Sequence, residues 1–91
     1  MKVLVADPIH QEGLDLLQAE PGVTVDVRLR MKPEELVEAV ADAEALIVRS
    51  ESQVTAEVIE AGTRLRVVGR AGVGVDNIDL EAATRRGVAV V

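Results

Sequence analysis

Ninety-one residues and 9.7 kDa suffice for one small domain, which buries roughly 60–65% of the surface its unfolded chain exposes. Hydrophobic residues make up 48% and charged residues 29%, a globular composition, with no apolar run near the ~18 residues of a membrane span; no basic-then-apolar segment precedes Val3, so no secretory leader is expected. Sixteen acidic against ten basic residues give a net charge of −6, which argues against a nucleic-acid partner, whose phosphates call for Lys and Arg.

The chain has no cysteine, so disulfide scaffolds and thiolate metal sites are excluded, and a cytoplasmic location is expected. It also has no Phe, Tyr or Trp, hence no ring on which a base or a flavin could stack. Valine occurs 17 times and alanine 12 times, a bias that predicts buried parallel strands under close-packed helices.

Lys2 to Ala6 is a short apolar run stopped by Asp7-Pro8, and it reads as a strand. Leu14, Leu16 and Leu17 then give a helix from about Ile9 to Glu20, with Asp7 as expected N-cap and Pro8 in the first turn. Val23, Val25 and Val27 alternate with polar residues, predicting a half-buried edge strand. Pro33-Glu34-Glu35 opens a second helix whose apolar stripe is Leu36, Val37, Val40 and Ala41. Ala45 to Val48 is a fully apolar strand ended by Arg49-Ser50. Thr55 caps a helix over 56–61 that closes at Gly62. Arg66 to Gly69 is a fourth strand, Asp79 caps a helix over 80–86 that closes at Gly87, and Val88 to Val91 is a fifth strand.

The order is βαβαβαβαβ. Right-handed crossovers turn it into an α/β three-layer sandwich with a five-stranded parallel sheet, most simply in the flavodoxin-like order 2-1-3-4-5. No helix follows the fifth strand to cover it, so a chain truncated after that strand is expected.

Ligands of open α/β sheets bind beyond the carboxyl ends of the strands. The candidate segments there are Asp7 to His10, Arg49 to Gln53 and Arg70 to Asn77, and the richest loop runs from Gly69 to Asn77. Its Gly72-Val73-Gly74 suggests the dinucleotide fingerprint, but Asn77 stands at the third glycine position and Asp76 would place a negative charge beside a pyrophosphate. No cofactor-binding residue is expected in the chain. Small residues free backbone N–H groups to hold a carboxylate or phosphate, and Arg70 can add a bidentate contact. A tight turn that only needs glycine's freedom explains the loop equally well. Arg49 and Ser50, on the adjacent strand end, complete a candidate anion rim, although alone Arg49 reads as a solvated strand end.

His10 has no partner that sequence can identify and reads as a surface histidine. Glu34, Glu35 and Glu38 read as a solvated helix face, and no metal ligands are expected. No catalytic residue is expected either.

Residues 46–50 and 54–59, and above all the stretch from Val67 to Thr84 with its Gly-Arg-Ala-Gly-Val-Gly-Val-Asp-Asn core, resemble the D-isomer-specific 2-hydroxyacid dehydrogenases, in particular the branch that acts on 3-phosphoglycerate. The resemblance spans essentially the whole chain. It implies a substrate-binding, flavodoxin-like domain portion over residues 1–91 that closes on a Rossmann domain absent from this chain. It also implies NAD in the parent enzyme, serine biosynthesis as its setting, and a substrate, 3-phosphoglycerate, held by Arg49, Ser50, Arg70 and the amides of Val73 and Gly74. The chain alone is not expected to transfer hydride.

Two readings compete with that one: a structural fragment without ligand affinity, self-associating through the Val88–Val91 edge, and the substrate domain of another 2-hydroxyacid dehydrogenase. A phosphoacceptor receiver module is disfavoured, since its third strand would end in Asp and its fifth would carry Lys.

Overall fold

The computed structural model describes residues 1–72 and 76–91. Its elements follow the valine-rich runs: β1 Lys2–Val5, α1 Gln11–Ala19, β2 Thr24–Val27, α2 Pro33–Ala39 with a 3-10 turn at Val40–Asp42, β3 Ala45–Val48, α3 Ala56–Ala61, β4 Val67–Arg70, α4 Leu80–Arg86 and β5 Ala89–Val90. All five strands are parallel in the order β2-β1-β3-β4-β5, as the alternation of elements predicts. Among the described residues no helix is long and apolar enough to cross a membrane.

Register explains the two cores. Leu4 pairs with Leu46, and Leu46 with Val68; since side chains alternate between faces, these three share one face. There they join Val40, Val58, Ile59 and Ala82 in the main core. Val3, Val5 and Ala45 point to the other face, where Ile9, Leu14, Ile47 and Val67 pack around them only partly buried.

Helix boundaries carry the corrections. The N-cap of α1 is His10, which makes no side-chain capping bond; Asp7 is instead turned into the protein, for reasons that belong to the site. Leu16, expected in the apolar stripe, is 73% exposed, and α1 buries no residue fully. On α2 the buried positions are Leu36 and Ala39, while Ala41 is exposed because the helix tightens to 3-10 geometry at Val40.

The other caps form as expected. Thr55 accepts from Val58 N–H and Asp79 from Ala82 N–H, each satisfying an orphan donor of the first turn. Gly87 ends α4 in the left-handed conformation at φ 68°, which suits glycine. Gly62 ends α3 at φ −78°, so its role is spatial: a Cβ there would lie 2.9 Å from Leu65 Cβ.

Candidate functional site

The carboxyl ends of β1, β3 and β4 lie side by side, and the chain ties them together through two buried polar side chains. The first is Asp7, 2% exposed. Its carboxylate accepts from Arg49 N–H (2.7 Å), Ser52 N–H (3.0 Å) and Ser52 Oγ (2.6 Å). Three donors on one carboxylate make a buried charge tolerable and fix the turn after β3 against the end of β1. This is why Asp7 cannot cap α1.

The second is Asn77, 8% exposed. Its Oδ1 accepts from Arg70 Nε (2.9 Å), and its Nδ2 donates to the carbonyls of Arg49 and of Ser52, the latter at 2.7 Å. Its backbone carbonyl accepts from Val54 N–H (2.8 Å), next to the isolated parallel bridge between Val54 and Ile78. Both lie in segments that sequence reasoning marks as candidates for their place beyond strand carboxyl ends, but it assigns neither a part in the site; their hydrogen-bond partners are distant in sequence.

Arg49 leaves the sheet on the α1 side. It shares an open cavity of about 450 Å³ with Ile9, His10, Ile47, Ala71 and Gly72, and its Nη1 lies 3.5 Å from the Pro8 carbonyl oxygen. Ser50 is exposed on the turn that follows and is not among the residues lining that cavity. Arg70 ends β4 in register with Val48, so its side chain emerges on the opposite face from Arg49 and reaches Asn77. The two arginines therefore share the carboxyl edge, approach it from different faces, and are joined through the Asn77 carboxamide.

Gly72 sits at φ +135°, and a Cβ there would stand 3.0 Å from Arg70 Nη1. Glycine serves both the backbone conformation and the space beside the guanidinium. Val73 and Gly74, expected to offer amides to an anion, lie outside the described residues.

The structure brings His10 into the Arg49 cavity, a proximity that a lone histidine early in a helix does not advertise in sequence. Glu34, Glu35 and Glu38 are exposed, and Glu35 spends its carboxylate on Lys32 N–H at the start of α2. Among the described residues no three metal-ligating side chains gather. Chemically, then, the edge offers two guanidiniums and an imidazole, with its buried carboxylate already committed to backbone and hydroxyl donors, an arrangement suited to an anion.

Residues 3–91 match the model of the D-isomer specific 2-hydroxyacid dehydrogenase catalytic domain. The chain is 53% identical over 91 residues to D-3-phosphoglycerate dehydrogenase of Archaeoglobus fulgidus and 50% identical to that of Methanocaldococcus jannaschii, covering all of this chain and 17% of each relative. It thus spans about a sixth of the length of these curated relatives. Among solved structures, NAD⁺-bound 3-phosphoglycerate dehydrogenase of Entamoeba histolytica superposes with a TM-score of 0.88 at 31% identity, over 99% of this chain and 32% of that one.

Proposed function

From the premise that the chain belongs to the D-isomer specific 2-hydroxyacid dehydrogenase family, we propose that it is the substrate-binding portion of an NAD-dependent D-3-phosphoglycerate dehydrogenase. The parent reaction converts 3-phospho-D-glycerate to 3-phosphohydroxypyruvate, the entry to serine biosynthesis. In it the C2–H bond gives up a hydride and the 2-hydroxyl gives up a proton to a base. When bound, NAD⁺ would supply the hydride acceptor.

The observation that carries this reading is the pair of arginines at the carboxyl edge. Arg49 and Arg70 are built onto adjacent strand ends, and a substrate with a phosphate at one end and a carboxylate at the other calls for two such groups. Guanidinium forks recognise both anions in bidentate fashion. Ser50 and the amides of Val73 and Gly74 complete the proposed set. The work assigned to this chain is binding and orientation: it holds the acid with its 2-hydroxyl toward the cofactor domain and, on closure, excludes water.

No catalytic role falls to this chain in the proposal. In this proposal residues 69–77 do not hold NAD. The third glycine position of the fingerprint holds Asn77, buried and bonded at both ends of its side chain, where a glycine would let backbone and pyrophosphate meet. The proposal therefore assigns the cofactor to residues outside these 91.

The test is a chimera in which residues 1–91 replace the matching segment of the Archaeoglobus fulgidus enzyme. NADH formation dependent on 3-phosphoglycerate is the expected result, with Arg49→Ala or Arg70→Ala raising KM about tenfold or more, the scale of a lost charge-assisted contact. A soluble, folded chimera that reduces NAD⁺ with another 2-hydroxy acid but not with 3-phosphoglycerate would move the substrate elsewhere in the family.

A further inference from the structure

Asn77 spends its whole side chain on other parts of the site. A carboxamide carries two N–H donors and one carbonyl acceptor in a single plane. Here the acceptor takes Arg70 Nε at 2.9 Å, and the donor nitrogen bonds the carbonyls of Arg49 and Ser52. Serine and threonine cannot supply two donors and an acceptor in one plane, and glutamine would be one methylene too long for a site that leaves asparagine only 8% exposed.

Each bond constrains a different anion-facing group. A partner at Nε fixes the plane of the Arg70 guanidinium, because the fork is rigid and planar. On the other side, the peptide group that precedes Arg49 is held by Asp7 through Arg49 N–H, and the one that follows it is held by Asn77 through the Arg49 carbonyl. The backbone on both sides of that side chain is thereby set. Gly72 leaves room beside Arg70 Nη1 for this arrangement.

We propose that Asn77 is a positioning residue: it couples the orientation of Arg70 to that of the 49–52 turn, so that the two arginines act on one anion as a pre-set pair. The functional half of this inference rests on the carboxyl edge being the substrate site. The coupling itself is a property of the ligand-free chain and is tested there first.

The experiment is solvent exchange of arginine Nε–H groups in the ¹⁵N-labelled 91-residue chain, followed by titration with 3-phosphoglycerate. In the unsubstituted protein the Arg70 Nε–H is expected to exchange about tenfold or more slowly than that of exposed Arg85, the scale of one charge-assisted hydrogen bond. Equal rates overturn the proposal even if no Asn77 variant folds. In Asn77→Ala the protection disappears, whereas Asn77→Asp, which keeps the acceptor, retains it; protection that survives in Asn77→Ala also overturns the proposal.

In the titration, Asn77→Ala weakens binding about tenfold in the native background. With Lys at position 70 (Arg70→Lys, which lacks Nε) the loss is clearly smaller than in the native background, what remains being the hold of Asn77 on the 49–52 turn. Additive losses overturn the coupling. An unsubstituted chain with a protected Arg70 Nε–H and no response to 3-phosphoglycerate refutes the substrate-site reading instead, while upholding the link between Asn77 and Arg70.

Discussion

On the face of the sheet that α2, α3 and α4 cover, Leu4, Leu46, Val48 and Val68 are fully buried; on the α1 face Val3 and Val5 are buried, but Ile9, Leu14, Ile47 and Val67 around them are only partly so. The same parallel ladder thus carries a finished core on one side and thin cover on the other. This difference amounts to a division of labour. The finished core holds the strands in register, and with them the strand ends that carry Asp7, Arg49 and Arg70. The open face adjoins the cavity that Arg49 and His10 line.

The contrast can be broken most forcefully by truncating one residue from each face. Leu46→Ala removes a wholly buried side chain from the main core and is expected to cost about 2–5 kcal/mol, enough to unfold a large share of a domain this small. Ile47→Ala, its neighbour on the open face, should cost well under half as much. Urea denaturation of both variants checks the pair, and equal losses would erase the distinction between the faces.

Asp7→Ala comes next in size. It leaves Arg49 N–H, Ser52 N–H and Ser52 Oγ without their acceptor, an expected loss of about 1–3 kcal/mol or more, accompanied by faster amide exchange confined to residues 49–52. Gly62→Ala sharpens the packing argument, since the added Cβ would meet Leu65 Cβ at 2.9 Å; about 1–3 kcal/mol is expected, read from the denaturation midpoint.

The smallest effect is electrostatic and sits away from both faces. Lys2 Nζ donates to both Asp42 oxygens at 2.9 Å and holds the exposed Asp42 carboxyl below its ordinary value of 3.8. A depressed folded pKa contributes stability that is present above the unfolded value and is lost as pH falls through the folded one. Lys2→Met should therefore return the Asp42 titration toward 3.8 and remove a slight acid-side contribution, visible by NMR titration of the carboxyl and scarcely at neutral pH.

Much of this architecture is legible in the chain itself. Valine runs separated by capped helical stretches give the strand order, because parallel strands and right-handed crossovers leave few alternatives, and Thr55 and Asp79 cap where their spacing says. Arg49 and Arg70 are legible as a pair because both immediately end apolar strands. Asp7 misleads: Asp-Pro before a helix is a sound capping signal, yet three donors from a turn distant in sequence outbid the helix for its carboxylate. Asn77 hides for a related reason. In sequence it stands out as a missing glycine, and only the fold brings Arg70 and the 49–52 turn to its two ends. Leu16 shows the remaining limit, since helical periodicity marks a stripe without saying how wide a sheet lies beneath it.

The central claim is that the carboxyl edge of this small sheet binds a phosphorylated 2-hydroxy acid. An amide NMR titration of the 91-residue chain with 3-phosphoglycerate, with NAD in parallel, tests it most directly. Saturable shifts are expected at Arg49, Ser50 and residues 70–74 with 3-phosphoglycerate and none with NAD. A dispersed, folded spectrum that is silent to 3-phosphoglycerate, or one that responds to NAD at residues 72–77, would contradict it.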